Sequence, residues 1–112
     1  MVVTAWNNGA HIRNGSGYGF RVHPVDRDAF FQKEWTSILV EIEGQEEAVE
    51  VTLEGRNFWA EAPGPLPCPA LGRWLRHNGL APWSPGNPPV LLLEPLEGNR
   101  FRVEKAAKRR AL

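Results

Sequence analysis

Residues 36–54, TSILVEIEGQEEAVEVTLE, contain the strongest folding signal in the chain. Apolar and polar side chains alternate from Ile38 to Glu43, with Leu39 as the exception, and again from Val49 to Glu54. Alternation with a period of two places successive side chains on opposite faces of a β-strand. The stretch therefore predicts a hairpin with one buried and one acidic, wet face. The predicted buried positions are Ile38, Val40, Ile42, Val49, Val51 and Leu53.

The rest of the chain divides into similarly short elements. Strands are predicted over 2–6, 18–22, 90–94 and 100–104, and Phe58-Trp59 is expected to form a third short strand after the hairpin. A helical turn is predicted at 24–31, anchored by Phe30. A helix at 70–78 would bury Leu71, Trp74 and Leu75 and end at Gly79. We therefore predict a mainly β (α+β) fold, a small antiparallel barrel or curved sheet with one or two short helices.

Length and composition support this fold class. The 112 residues suffice for one domain, which we place at 1–104, followed by a basic C-terminal tail at 105–112. Ten prolines and eleven glycines cut the chain into short pieces and disfavour a helical bundle. Five tryptophans are many for this length, so the aromatic residues are expected to dominate the buried surface.

The cellular compartment is predicted from what the sequence lacks. Cys68 is the only cysteine, so it has no intramolecular disulfide partner, which is typical of a reducing compartment. No secretory signal and no bilayer-length apolar run are visible. We expect a cytoplasmic protein without membrane contact.

Charge is unevenly distributed along a chain whose net charge is zero. Residues 41–61 carry seven Glu and one Arg, a balance of −6. Residues 62–112 carry eight basic and three acidic residues, a balance of +5, and residues 1–40 carry four and three, a balance of +1. This asymmetry indicates two faces of opposite sign, one of them suited to a polyanion, unless the charges mix in the folded structure.

Catalytic and metal signatures are weak. The three histidines are scattered without ligand spacing, so no metal or other cofactor is expected. Cys68 has no evident activating partner, and the glycine loop at 15–19 lacks the Lys-Ser/Thr ending of a phosphate-binding loop. A small hydrolase or nuclease using Asp26, Asp28 with Glu34, or His11 remains an alternative.

The basic, amide and aromatic side chains give the leading functional hypothesis, a non-catalytic domain that binds nucleic acid. Arg, Asn and His side chains hold phosphates and read base edges, while accessible aromatic rings stack on unpaired bases. Each tryptophan has a core position as its alternative. The candidate polar residues are Asn7, Asn8, His11, Arg13, Asn14, Arg21, Arg73 and Arg76, and the candidate stacking residues are Trp6, Tyr18 and Trp83.

A protein-interaction module is the main alternative. It would act as a partner subunit of a larger enzyme system or as a homodimer. The apolar patch that would serve it consists of Trp83, Pro85, Pro88 and Pro89.

Several short segments resemble a small bacterial protein family without an assigned function. They are AWNNG at 5–9, GYG at 17–19, DRD at 26–28, FW at 58–59, GRWL at 72–75 and GLAPW at 79–83. The strand order, the two short helices and the tryptophan-rich hairpin are also distantly similar to B3-type DNA-binding pseudobarrels, including effector-binding domains of some restriction enzymes. That resemblance implies that the first loop and the connections near the helices face DNA, with the acidic strands at 41–54 on another side.

Overall fold

Seven strands and two helices make up the part of the chain that the structure describes, residues 1–106 of a computed structural model. In chain order they are β1 (Val2–Asn7), β2 (Tyr18–Arg21), α1 (Pro24–Phe30), β3 (Ser37–Glu41), β4 (Val49–Thr52), β5 (Leu66–Pro67), α2 (Pro69–His77), β6 (Val90–Pro95) and β7 (Arg100–Lys105).

All seven strands belong to one sheet with the order β4-β3-β7-β6-β1-β2-β5. The two ends of this order approach each other, because β4 contacts β5, so the sheet curls into a nearly closed, barrel-like form. Curling buries one face of every strand around a shared apolar core. The predicted mainly β fold with two short helices is confirmed.

The acidic hairpin forms with the register that the alternation requires. In the antiparallel pair of β3 and β4, Ile38 lies opposite Val51 and Val40 lies opposite Val49. Ile38 and Val51 are at most 1% exposed, whereas Glu50 on the other face is exposed. A one-residue slip would turn every apolar side chain towards water, so the pattern fixes the pairing.

One strand pair differs from the antiparallel arrangement. β3 and β7 run parallel, with Val40 opposite Phe101, while the other five pairs of the sheet are antiparallel. The β3–β4 hairpin and the β6–β7 hairpin thus dock side by side through strands of the same direction. Alternation specifies which face of a strand is buried, but it does not specify the neighbouring strand or its direction.

Two predicted elements need correction. Phe58 and Trp59 lie in a series of turns rather than in a strand, and the fully buried Phe58 ring is a core contact. Residues 66–67, within the proline-rich stretch expected to be a loop, form β5 and pair with β2. Because β5 lies at the end of the sheet order, its single proline, Pro67, interrupts no second ladder.

The anchor of α1 is also different from the prediction. Phe30 is 41% exposed, whereas Phe31 is 5% exposed. The helix ends at Phe30, and the extended backbone of the following Phe31 turns its ring inwards. There the ring stacks on Phe101 at 4.9 Å and meets Phe58 edge-on at 5.0 Å. On the same helix, the buried Arg27 donates to the carbonyl oxygens of Phe58 and Ala60.

α2 forms as predicted. Pro69 occupies its first turn, where a missing N–H costs nothing, and Gly79 follows its end with a φ of 70°. The helix buries Leu71, Trp74 and Leu75 against the core. At the other end of the chain, Lys105 belongs to β7 and not to a tail, and residues 107–112 lie outside the described residues.

We predict that Phe31→Ala lowers the free energy of unfolding by about 3–5 kcal/mol, because it removes a ring from the aromatic core. Phe30→Ala is the matched control, and its loss should be below about 1 kcal/mol, as for other surface substitutions. Urea denaturation of both variants measures the difference. Equal losses would contradict the assignment of Phe31 as the anchor.

Candidate functional site

The loop between β1 and β2, residues 8–17 and hereafter the first loop, is built largely by its own asparagine side chains. Asn7 Oδ1 accepts hydrogen bonds from the backbone N–H groups of Gly9 (2.7 Å) and His11 (3.0 Å). Asn8 Oδ1 accepts from Ala10 N–H, and Asn14 Oδ1 accepts from Ser16 N–H. Side-chain oxygens that replace backbone partners in this way shape turns. These three oxygens are therefore used within the loop.

Two arginines of α2 tie the first loop to the helix. Arg73 Nη1 donates to the Asn14 carbonyl oxygen at 3.0 Å, and Arg76 Nη1 donates to the His11 carbonyl oxygen at 3.1 Å. The backbone itself also approaches the helix closely, since a Cβ atom at Gly15 would collide with the Pro69 carbonyl group. The structure thus brings together loop and helix residues that are far apart in sequence.

A cluster of three rings lies beneath this contact. The rings of His11, Tyr18 and Trp83 meet edge-on, with centroid distances of 5.4 Å for His11 and Tyr18 and 4.8 Å for His11 and Trp83. The Tyr18 hydroxyl is 2.8 Å from His11 Nδ1 and 3.4 Å from Arg76 Nη1. Arg76 has only donors, so the hydroxyl oxygen accepts from Arg76, and the direction of the bond between the hydroxyl and Nδ1 is set by the His11 tautomer.

The predicted stacking residues differ in accessibility. Tyr18 has 0% exposure, so in this structure its ring belongs to the core and offers no platform for a base. Sequence reasoning could not foresee this, because the burial depends on the packing of α2 over β2. Trp6 and Trp83 are half-buried and keep part of their rings at the surface.

The predicted basic residues divide into three groups. Arg13, at the tip of the first loop, and Arg73 are exposed, while Arg76 is half-buried and holds the loop. Arg21 is exposed on β2 but donates to the Pro63 carbonyl oxygen at 3.3 Å, outside the contact between loop and helix. Ile12, which the sequence reasoning did not single out, is 45% exposed beside Arg13.

The four candidate arginines, Arg13, Arg21, Arg73 and Arg76, form no ion pair with a carboxylate in the described part of the chain. Within residues 1–106 the ion pairs involve Arg27, Arg100 and Arg102. Residues 1–25 and 62–93, which contain all four, include no Asp or Glu at all. The lack of acidic residues in these two segments is visible in the sequence. It marks the arginine-containing segments more clearly than the net charges of residues 1–40, 41–61 and 62–112 do.

One polar group of the candidate site has no partner. Within the described residues, Asn7 Nδ2 is buried and has no hydrogen-bond partner. An unsatisfied buried donor costs free energy, and because this atom is buried it offers no surface contact to a ligand.

Catalytic groups do not converge in the described part of the chain. It contains no group of three or more His, Cys, Asp or Glu side chains placed to hold a metal ion, so Asp26, Asp28 and Glu34 form no such cluster. Asp28 instead pairs with Arg27 at 3.0 Å. The Cys68 thiol is 1% exposed, and burial raises its pKa, which keeps it in the unreactive neutral form.

The alternative apolar patch is partly used in the fold. Trp83 belongs to the ring cluster with His11, and the Pro89 carbonyl oxygen accepts from Ala5 N–H at 2.9 Å. Pro85 is exposed.

Three comparisons with known proteins gave no match: no family model, no curated protein and no solved structure is similar to this chain. In the described residues, no helix combines the length and apolar character needed to cross a membrane. The resemblances suggested by the short motifs thus remain predictions.

Cys68 is expected to be protected from alkylation in the native protein. Iodoacetamide at neutral pH should label it slowly in buffer and completely in denaturant, as read by mass spectrometry. Because its pKa is raised by folding, the free energy of unfolding should fall as the pH rises above the ordinary thiol pKa of about 8.5. Cys68→Ala should remove that part of the pH dependence, and rapid native labelling would contradict the buried position.

Arg76→Ala should destabilise the protein by about 1–3 kcal/mol, since it leaves a buried hydroxyl and a loop carbonyl without their charged donor. Arg73→Ala, on the same helix but exposed, is the control and should cost less than about 1 kcal/mol. Guanidinium denaturation gives both values, and hydrogen exchange should show faster opening of the first-loop amides in Arg76→Ala than in Arg73→Ala, because Arg73 has a single contact with the loop. Equal effects would remove Arg76 as the residue that holds the loop.

Proposed function

We propose that this protein is a non-catalytic nucleic-acid-binding domain whose first loop and α2 contact the phosphate backbone. The observation that carries the proposal is the group of four arginines without ion pairs, on segments without carboxylates. Unpaired arginines attract a polyanion and bind phosphate oxygens with planar, forked geometry.

The arginines have different roles in this proposal. Arg13 and Arg73 are exposed and are the phosphate contacts. A guanidinium has five N–H donors, so Arg73, which donates one to the Asn14 carbonyl oxygen, keeps donors for a phosphate. Arg76 positions the loop, and Arg21 extends the positive surface along β2. The amide groups of Asn8 and Asn14 and the His11 ring supply the further polar contacts, while the buried Asn7 amide shapes the loop. Trp6 and Trp83 are the stacking candidates.

The geometry of the first loop supports the proposal because the loop offers a ligand a preformed binding surface. Its asparagine oxygens and the two α2 arginines hold it in one shape before any ligand arrives. A loop that is already ordered loses less conformational entropy on binding. The proposal includes a cytoplasmic location and the distant likeness to B3-type pseudobarrels.

The test is the double variant Arg13→Ala/Arg73→Ala. Fluorescence anisotropy with short labelled single- and double-stranded DNA and RNA, over a range of salt concentrations, should show weaker binding for all sequences of the preferred form. For duplex DNA the slope of log K against log[salt] should become shallower by about 2, at roughly 0.9 per lost phosphate contact. Arg73 is exposed, so the loss should not come from unfolding.

The control is Arg56→Ala, which removes an exposed arginine from the acidic segment 41–61. It should leave affinity and salt slope unchanged. Wild-type protein that binds none of the probes at low salt would overturn the proposal and favour the protein-partner alternative. A double variant indistinguishable from wild type would remove the loop and helix as the interface.

A further inference from the structure

A groove of about 1050 Å³ runs along the parallel strands β3 and β7 and reaches the turn that follows β3. Its apolar lining includes Ile42, Val103 and Trp74, each at most 6% exposed. α2 contributes Trp74, so the helix that carries the proposed phosphate contacts also lines this second depression. The groove plays no part in the proposed nucleic-acid contact.

The rim of the groove carries more negative than positive charge. Its carboxylates are Glu41, Glu43, Glu46, Glu47 and Glu104, and its cations are Arg100, Arg102 and Lys105. Glu41 pairs with both Arg100 and Arg102 at 3.4 Å. In residues 1–106, Glu43, Glu46, Glu47 and Glu104 form no ion pair, which leaves their charges available to a cationic ligand.

Trp74 supplies a second, independent sign of a ligand. The residue is 6% exposed, and its indole Nε1 is buried without a hydrogen-bond partner in the described part of the chain. An indole nitrogen only donates, so the missing partner must be an acceptor. An unpaired buried donor is unfavourable, and Trp74 lines the groove. An acceptor that reaches Nε1 from the groove would therefore gain binding free energy from the new hydrogen bond.

We propose that this groove binds an extended, basic segment of a partner protein. A main-chain carbonyl of the segment accepts the hydrogen bond of Trp74 Nε1, and its Lys or Arg side chains meet Glu43, Glu46 and Glu47. A protonated polyamine has donors only and would leave the indole unsatisfied, and a nucleic acid would be repelled by the carboxylates. The volume lies at the upper end of small-molecule pockets and suits a short peptide.

The experiment follows the tryptophan indole signals of the full ¹⁵N-labelled chain by ¹H–¹⁵N NMR. The probe is a peptide of alternating lysine and alanine, blocked at both ends. The Trp74 signal, assigned by its absence in Trp74→Phe, should shift saturably with peptide concentration. Trp74→Phe keeps the apolar bulk without the N–H and should bind the peptide several-fold more weakly.

A charge-matched pair of variants tests the rim. Glu43→Gln/Glu46→Gln/Glu47→Gln should weaken peptide binding by at least about tenfold at low salt. The control Glu50→Gln/Glu54→Gln/Glu61→Gln changes the net charge equally with exposed residues outside the groove and should have little effect.

Three results would overturn the proposal. These are equal weakening by the two triple variants, spermine shifting the Trp74 signal as strongly as the peptide does, or peptide binding without a Trp74 shift. None of them depends on nucleic-acid binding, so this site and the proposed function fail or succeed separately.

Discussion

The close approach of α2 to β2 at Gly72 is the constraint on which the rest of the structure depends. A Cβ atom at Gly72 would lie 2.6 Å from the Tyr18 ring, so only glycine lets the helix lie flat on this strand. The contact covers Tyr18 completely and leaves its hydroxyl to be satisfied inside the protein. His11 and Arg76 meet that need, and in doing so they join the first loop to the helix.

The position of α2 then determines both the core and the loop. One side of the helix places Leu71 and Leu75 in the barrel, and the opposite side brings its arginines to the carbonyl groups of the first loop. Gly15 and Gly17 fit tightly against Pro69 and Asn8, so the loop has little room for another path. The fold, rather than a ligand, therefore sets the shape of the candidate interface.

Much of the fold could be predicted because the local spacing of apolar residues indicates which face of a strand or helix is buried. The β3–β4 hairpin and the buried face of α2 follow from spacing, and β6 and β7 were predicted as separate strands. The parallel pairing of β3 with β7 and the short β5 could not, since neither leaves a local pattern. For the site, residue types indicated the loop and the helix. They could not show that the asparagine oxygens accept hydrogen bonds from loop amides, or that Tyr18 is buried. Hydrogen-bond partners depend on the backbone path, which a single sequence does not reveal.

Under the two proposals above, α2 borders one basic and one acidic surface in a chain with zero net charge. Zero net charge gives no long-range attraction to either a polyanion or a polycation, so selectivity must come from local charge. At physiological ionic strength the Debye length is about 8 Å, and charges farther apart than this act almost independently. The arginines of the first loop and α2 can then attract phosphate while the glutamates after β3 attract cations. Trp74 and Arg73, adjacent in sequence, diverge to these two surfaces because neighbouring residues of a helix point in different directions.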